Sequence, residues 1–243
     1  MKNYSKQKPI LIAAAVDTEL EYLLEKLKNK LEKDLNGYNF WEGNINSYPV
    51  VIYKTEVGTI NATISTVLAI KEYNPLFIVN TGTAGAHRKD IMPKDIIIGK
   101  EIISIDSYKT GNKAEGEGSN SLEWKQPGFR FEKVVNCDDE LLKFVTNHEF
   151  YDDAKVYIGR IGSGNVFNKE IDKINKLHES LNTICEEMEG IGVYKTCDKF
   201  EIPKISFRVI SNNEIVGLGY DPSYGLYGQK FTYEFVKKYI ENM

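Results

Sequence analysis

The sequence is poor in the residues that cross-link a chain or bind metals. It has three cysteines, an odd number, and none of them forms a Cys-x-x-Cys pair: Cys137, Cys185 and Cys197. We therefore expect free, buried thiols in a reducing compartment. The three histidines lie far apart, and neither a His-Glu-x-x-His motif nor a Cys/His cluster occurs. This pattern argues against a zinc site.

The sequence also lacks a strong excess of charge and a long apolar run. It has 31 basic and 35 acidic residues, for a net charge of −4, which argues against a nucleic-acid partner because such proteins carry a basic face. No apolar run reaches the roughly 18 residues of a membrane-spanning helix. The first nine residues are polar and lack the layout of a signal peptide. We expect a cytoplasmic protein, without a membrane partner, in which residues 1–8 are flexible.

Short apolar runs alternate with helical patterns along the whole chain. Ile10–Ala15 and residues 76–79 predict buried strands, and the second is followed by a glycine-bearing turn at Thr81–Gly85. After the first of these strands, Thr18 and Glu21 have the spacing of a capping box, which predicts the start of a helix. Five leucines follow at helical spacing: Leu20, Leu23, Leu24, Leu27 and Leu31. No linker or repeat interrupts this alternation. It therefore predicts that residues 1–243 form one α/β domain with a mostly parallel sheet.

Polar or glycine-bearing segments follow four of the predicted strands. They are Val16–Glu19, Asn80–Gly85, Ser163–Asn168 and Ser211–Glu214. In open α/β sheets, ligands bind beyond the carboxyl ends of the strands. The four segments are therefore expected to converge on one ligand site.

Several motifs occur in a characteristic order. They are Ala15-Val-Asp-Thr-Glu19, Asn80-Thr-Gly-Thr-Ala-Gly85 followed by Pro93-Lys-Asp-Ile-Ile-Ile98, Glu187-Met-Glu-Gly190, and Pro203-Lys-Ile-Ser-Phe-Arg-Val-Ile-Ser211. From about residue 10 to 240 the chain resembles the purine nucleosidase and nucleoside phosphorylase superfamily, and most closely the 5′-methylthioadenosine/S-adenosylhomocysteine nucleosidases. The resemblance implies a three-layer α/β/α domain around a mixed sheet, a homodimer, and hydrolysis of a purine nucleoside's N-glycosidic bond without a metal or organic cofactor.

The resemblance also implies which residues act on the sugar. Breaking an N-ribosidic bond develops positive charge on the ribose, which a nearby carboxylate stabilises. By resemblance, Glu189 holds the 2′- and 3′-hydroxyls, Met188 packs under the sugar and Glu187 is an orienting neighbour. Glu19 matches the carboxylate that activates water. Arg208 matches an arginine that orients carboxylates or contacts the sugar.

Other residues are implied on the base side of the site. Phe167, in Ser163-Gly-Asn-Val-Phe167, would stack on the base, while neighbouring backbone reads the edge of the base. Asn212 would stabilise the leaving base. The implied binding set is completed by Thr83, Ala84, Gly85, Asn168 and Ser211.

Asn212 stands where the adenine-specific nucleosidases have an aspartate. An amide donates a hydrogen bond but supplies no proton, and general-acid help is worth about 10²- to 10⁴-fold in rate. One alternative substrate is therefore a 6-oxopurine nucleoside, of futalosine or inosine type. Another reading is a slow adenine-nucleoside enzyme or a non-catalytic nucleoside-binding protein. Asn213 or Glu214 could replace Asn212 if the loop is shifted, although only Glu214 could supply a proton.

Two further features bear on mechanism and selectivity. The turn Val16–Glu21 is acidic and lacks the arginine with which the superfamily's phosphorylases bind phosphate, so water is favoured as the nucleophile over phosphate, and a purine nucleoside phosphorylase is the lesser alternative. The loop Lys109–Gly128 is either solvated or selects the 5′ substituent. The segment Tyr220–Tyr227 either covers the base or lies in a dimer contact.

Overall fold

The computed structural model describes residues 7–108, 112, 114–116, 134–148, 150 and 154–243. Its strands are β1 (Ile10–Ala14), β2 (Lys28–Leu35), β3 (Tyr38–Ile45), β4 (Tyr48–Lys54), β5 (Phe77–Ala86), β6 (Ile96–Ser104), β7 (Val135–Asn136), β8 (Val156–Ser163), β9 (Thr183–Glu187) and β10 (Lys204–Asn212). Its helices are α1 (Glu21–Lys26), α2 (Thr59–Tyr73), α3 (Asp139–Thr146), α4 (Ile171–Leu181), α5 (Gly190–Phe200) and α6 (Gly225–Glu241). Within these residues, no helix combines the length and apolarity needed to cross a membrane.

The strands form one mixed sheet, part of which closes on itself. Its order is β10-β6-β8-β9-β5-β1-β4-β3-β2, β7 pairs with β6, and β5 also pairs with β10. Strands β5, β10, β6, β8 and β9 therefore form a closed ring, from which β1, β4, β3 and β2 extend. The pairs β5–β9 and β6–β10 are antiparallel, whereas β1–β5, β5–β10 and β8–β9 are parallel. The expected mixed sheet is confirmed.

The side chains of β1 show how helices cover both faces of the sheet. Ile10 and Ile12 pack in a cluster with side chains of α1 and α6, whereas Leu11 and Ala13 pack in a second cluster with side chains of α2 and α5. Successive residues of a strand point to opposite faces, so a strand that is apolar throughout is buried on both. The three-layer α/β/α arrangement is confirmed.

The predicted leucine helix is wrong beyond its first turns. The helix α1 ends at Lys26, and Leu31 lies instead in β2, where its side chain is 60% exposed. The capping box does not form either, because no side chain caps α1. The turn Asn36-Gly37, with φ of 55° and 88°, joins β2 to β3, and an Asn-Gly pair is a strong hairpin signal. Pairing along β3 thus outweighs the helical spacing of the leucines.

The predicted turn at Thr81–Gly85 is also wrong. Strand β5 continues to Ala86 because its second half pairs with β10, where Asn212 is in register with Gly85, and with β9, where Gly85 is opposite Glu186. Long-range pairing therefore brings three site segments side by side. The expectation for loop Lys109–Gly128 falls mostly outside the described residues, as do residues 1–6 of the segment expected to be flexible.

Candidate active site

A cavity of about 270 Å³ opens where β5, β9 and β10 meet the turn after β1. Its walls are formed by Ala15, Val16, Glu19, Val57, Thr83, Ala84, Gly85, Val166, Phe167, Glu186, Glu187, Met188, Glu189, Ser211, Asn212 and Tyr220. All four polar segments that follow predicted strands contribute to it. Every predicted site residue lines this cavity except Asn168 and Arg208.

Glu19 is held by the backbone at one side of the cavity. It ends a short 3₁₀ turn after β1 and is only 5% exposed. Its Oε2 accepts a hydrogen bond from the Ala15 N–H at 3.1 Å. Its Oε1 accepts bonds from the N–H and the hydroxyl of Thr83, at 2.7 and 2.9 Å. Both oxygens are thus fixed in direction at the cavity wall.

Arg208 lies behind the carboxylates rather than in the cavity wall. Its Nη2 donates to Glu187 Oε2 at 2.5 Å and also to Asn80 Oδ1, and its Nη1 is 3.9 Å from Glu189 Oε2. Burial alone lowers the pKa of Arg208, but Glu187, Glu189 and Glu19 outweigh it and raise the pKa above its ordinary value. The guanidinium is accordingly a fixed positive charge beneath the site.

The side chain at position 82 must be absent for this arrangement to form. A Cβ on Gly82 would collide with Nη1 of Arg208 and would lie 3.0 Å from Oε1 of Glu19. Gly82 therefore allows the guanidinium and the carboxylate to approach the backbone of β5.

Glu187 and Glu189 are positioned by the start of α5. Oε2 of Glu187 accepts bonds from the N–H groups of Glu189 and Gly190, at 2.9 and 2.7 Å, which satisfies free donors of the helix terminus. Oε1 of Glu189 accepts a bond from the Gly58 N–H at 3.0 Å. Burial, followed by repulsion from Glu187, raises the pKa of Glu189 to about 7.

Asn212 lies against Gly85 in the cavity wall. Its Oδ1 is 3.0 Å from the Ser211 hydroxyl, which is also 3.2 Å from the Ala84 carbonyl oxygen, and its Nδ2 donates to Glu214 Oε1 at 3.2 Å. Asn213 points elsewhere, since its Nδ2 donates to the carbonyl oxygens of Arg88 and Ile91, each at 2.8 Å. The alternative in which Asn213 takes over the base side is therefore wrong.

Asn168 does not reach the cavity, because it binds a carboxylate that the motifs did not single out. Its N–H and its Nδ2 donate to the two carboxyl oxygens of Glu186, at 2.9 and 2.6 Å. Oε2 of Glu186 also lies 3.1 Å from Nε2 of His87, and Nδ1 of His87 bonds the Thr183 hydroxyl at 2.8 Å. Expected to bind substrate, Asn168 instead holds Glu186. The sequence signal for Glu186 was only its place beside Glu187.

Two half-exposed aromatic side chains line the cavity. Phe167 is 49% exposed, and its ring meets the ring of Tyr220 edge-on, with centroids 6.0 Å apart. Burial, followed by repulsion from Glu19, raises the pKa of Tyr220, and the neighbouring Thr83 side chain partly offsets this rise. The segment Tyr220–Tyr227 was expected either to cover the base or to lie in a dimer contact. Its first residue, Tyr220, lines the cavity. Tyr220 was not among the predicted site residues, and the only signal for it was the aromatic content of its segment.

The cavity is acidic and well suited to a neutral or cationic ligand. Its described walls include four glutamates but no lysine, arginine or histidine. An anion such as phosphate would meet like charges there. The positive charge of Arg208 is already in contact with carboxylates and is buried behind them.

Comparisons with known proteins agree with this arrangement. The model of the phosphorylase superfamily matches residues 9–223. The 5′-methylthioadenosine/S-adenosylhomocysteine nucleosidase of Staphylococcus haemolyticus is 30% identical over 204 residues, covering 83% of this chain and 85% of the relative.

Two solved structures share the fold. One is the nucleosidase of the same name from Neisseria meningitidis in complex with methylthio-immucillin-A, with a TM-score of 0.79, 22% identity, and coverage of 95% of this chain and 99% of the other. The other is a futalosine hydrolase mutant from Helicobacter pylori, with a TM-score of 0.77, 20% identity, and coverage of 97% and 100%. Both span nearly the whole chain.

Proposed function

Because this chain belongs to the phosphorylase superfamily, we propose that it hydrolyses the N-glycosidic bond of a purine nucleoside. The names of its relatives point to 5′-methylthioadenosine or S-adenosylhomocysteine as the substrate. The observation that carries the proposal is the pair of buried carboxylates, Glu19 and Glu189, that line one cavity. Among the described residues of its walls there is no basic side chain.

Glu189 is assigned to the ribose. Its Oε1 is held by the Gly58 N–H, and in its charged form the carboxylate has further lone pairs for two vicinal hydroxyls. A negative charge beside C1′ also stabilises the positive charge that develops as the bond to the base breaks. Met188, beside it in the wall, supplies a polarizable contact under the sugar.

Glu19 is assigned to the nucleophile, which is water. The water oxygen attacks C1′ and loses a proton to the carboxylate, while the electron pair of the broken bond leaves with the base. The bonds from Ala15 and Thr83 hold both carboxyl oxygens of Glu19 in place for this transfer. Phosphate is the less suitable nucleophile, because the described cavity walls are acidic.

Phe167 and Asn212 are assigned to the base. The half-exposed ring of Phe167 offers a face for stacking, and Asn212 offers an N–H to the leaving purine. Because an amide transfers no proton, the base takes its proton from solvent or a neighbouring group. Thr83, Ala84, Gly85 and Ser211 complete the wall around base and sugar.

A 6-oxopurine nucleoside is the second candidate substrate. The observation that favours it is Asn212, which replaces the expected acidic residue on the base side. A futalosine hydrolase shares the fold of this chain.

Base release from the purified chain, measured by chromatography, tests the proposal. The panel contains 5′-methylthioadenosine, S-adenosylhomocysteine, adenosine, inosine and guanosine, each with and without phosphate. Adenine release without phosphate is the expected result, and release of hypoxanthine or guanine instead would favour the second candidate. Binding without base release in a thermal-shift assay would contradict hydrolysis and identify a nucleoside-binding protein.

We also propose that the chain forms a homodimer through the start of α2. Val57, Ile60 and Ile64 expose apolar side chains there, with Ile60 73% exposed, beside a groove of about 610 Å³ between α2 and α5. Apolar side chains grouped on a surface mark interaction sites. Light scattering is expected to give twice the chain mass, and Ile60→Lys is expected to give the monomer. A wild-type chain that scatters as a monomer would contradict the dimer.

The cytoplasmic location remains part of this proposal. Cys137, Cys185 and Cys197 are free and buried in the structure, which agrees with the reducing compartment expected from the sequence. Fractionation of the native cells would test it, and recovery of the chain outside the cytoplasmic fraction would contradict it.

A further inference from the structure

Glu214 holds the amide of Asn212 in one orientation. Glu214 is half-buried and does not line the cavity, yet its Oε1 accepts a bond from Asn212 Nδ2 at 3.2 Å. A charged carboxylate only accepts hydrogen bonds, so the amide atom that faces it must be the nitrogen. On the other side, the Ser211 hydroxyl lies 3.0 Å from Oδ1 and 3.2 Å from the Ala84 carbonyl oxygen, and its single proton serves one of the two at a time. Because a hydroxyl both donates and accepts, this contact suits either end of the amide. The Glu214 contact is therefore the one that distinguishes the two ends.

The turn that carries Glu214 is itself well anchored. Oδ1 of Asn213 accepts a bond from the Ile215 N–H at 3.2 Å, and the N–H of Asn213 donates to the Leu218 carbonyl at 2.7 Å. The amide of Asn213 reaches the Arg88 and Ile91 carbonyls. Glu214 therefore directly follows a residue that several hydrogen bonds hold in place, which limits the movement of its own backbone.

After these contacts, the Asn212 amide has one N–H and at least one oxygen lone pair left for a ligand. The edge of adenine offers an acceptor at N7 and a donor at the 6-amino group, so it pairs with an amide whose N–H faces N7 and whose oxygen faces position 6. A leaving hypoxanthine or guanine that takes up its proton at N7 offers a donor at N7 and an acceptor at O6. It pairs with an amide whose oxygen faces N7 and whose N–H faces O6. The two kinds of base thus require opposite orientations of the amide.

We propose that Glu214 is a positioning residue that sets, through Asn212, the selectivity between 6-aminopurine and 6-oxopurine nucleosides. Rotating the amide by half a turn would bring Oδ1 against the Glu214 carboxylate, so two acceptors would face each other. A buried acceptor left without its donor costs enough to change relative binding about 10- to 100-fold. The inference rests on the proposed function, and it takes adenine as the favoured base.

The variant Glu214→Gln tests this role. A glutamine side chain can offer either an N–H or a carbonyl to Asn212, so both orientations of the amide become possible. The ratio of kcat/KM for 5′-methylthioadenosine to that for 5′-methylthioinosine is expected to fall about tenfold or more. Most of the change should come from faster turnover of the inosine analogue, with little change in Tm. Glu25→Gln is the matched control, because it makes the same change at an exposed residue.

The same comparison separates failure of this inference from failure of the proposed function. If the wild-type chain releases base from no nucleoside, the function is wrong. In that case the ratio of the Kd values of adenine and hypoxanthine, measured by calorimetry on wild type and Glu214→Gln, still tests the inference. A ratio within about twofold of wild type, in turnover and in binding, would overturn the role of Glu214.

A second variant excludes a merely structural effect. In Asn212→Ala, residue 212 has neither an amide to orient nor a carboxyl to titrate. Glu214→Gln is therefore expected to leave the base selectivity unchanged in that background. If it moves the ratio equally with Asn or Ala at position 212, Glu214 acts by some route other than amide orientation, and the inference fails.

Discussion

Oε1 of Glu19 accepts two hydrogen bonds from Thr83, one from the N–H at 2.7 Å and one from the hydroxyl at 2.9 Å. This contact ties the turn after β1 to the extended second half of β5. Tyr220 lines the same cavity as Glu19 and Thr83. Glu19, the carboxylate proposed to activate water, is therefore held in place by the sheet and has an aromatic neighbour in the cavity wall.

Glu19→Gln is expected to reduce kcat about 10²- to 10⁴-fold, because the amide keeps an acceptor for Thr83 but takes no proton from water. KM should change little, whereas Tm should fall by a few degrees, because the new NH2 faces the Ala15 N–H that Oε2 accepts from in the wild type. Steady-state kinetics and a thermal melt measure the three quantities. A kcat within a few-fold of wild type would remove Glu19 from its assigned role.

The rate should depend on pH through Glu189. Since the pKa of this carboxyl is raised to about 7, and only the charged form both accepts bonds from the ribose hydroxyls and stabilises the cation, kcat/KM should rise as pH increases toward 7 and then level off. Each unit below the pKa should cost about tenfold. The Glu189→Gln variant should be strongly impaired, and its kcat/KM should no longer rise with pH in this range. If the rise persists in the variant, another group is responsible for the titration.

The same raised pKa predicts an effect on stability. Between about pH 4.3, the ordinary glutamate value, and about pH 7, the folded chain binds more protons at Glu189 than the unfolded chain does, so this group's contribution to stability falls as pH rises. At about pH 8, Glu189→Gln should raise the free energy of unfolding by on the order of 2 kcal/mol, or Tm by about 4–8 °C. Near pH 4 the difference should vanish. A lower Tm for the variant at pH 8 would contradict this.

Arg208→Gln is expected to destabilise the fold severely. The guanidinium is buried among Glu187, Glu189 and Glu19, and removing one partner of a buried ion pair costs about 3–5 kcal/mol. Chemical denaturation measures the loss, and Arg160→Gln, which breaks a more exposed pair with Glu101, serves as the comparison. An Arg208→Gln chain as stable as Arg160→Gln would show that the carboxylates do not require the arginine.

Asn212→Asp should increase turnover of adenine nucleosides. The new carboxyl would lie near Glu214, where Nδ2 now stands 3.2 Å from Oε1, and a neighbouring like charge raises the pKa of an acid. A carboxyl that retains its proton near neutral pH can protonate the leaving base, which is worth about tenfold or more. Base release at several pH values measures the gain. An Asn212→Asp chain slower than wild type at every pH would contradict this account of position 212.

Local patterns predicted much of the fold because they depend on near neighbours. The apolar run of β1 indicated a strand buried on both faces, and its Leu11 and Ile12 do pack on opposite sides of the sheet. The leucine spacing wrongly predicted that the helix continues to Leu31, because over a short stretch the same apolar positions fit both a helix and a strand. The Asn36-Gly37 turn was the better signal there.

The site was less predictable where it depends on long-range pairing. The motifs pointed to Glu187 and Glu189, but Glu186 enters the cavity wall only because β9 pairs with β5. In the same way, Asn168 was expected to touch substrate, yet the strand pairing leaves Glu186 within reach of its amide. Tyr220 lies at the cavity because the chain returns after β10, which no local pattern shows.

The origin of the oxygen in the released sugar tests the central claim most directly. The purified chain is supplied with 5′-methylthioadenosine in water enriched in oxygen-18, with phosphate present, and the sugar product is examined by mass spectrometry. Attack by water held at Glu19 predicts a free sugar that carries the heavy oxygen. A sugar 1-phosphate without the label would contradict hydrolysis and make phosphate the nucleophile.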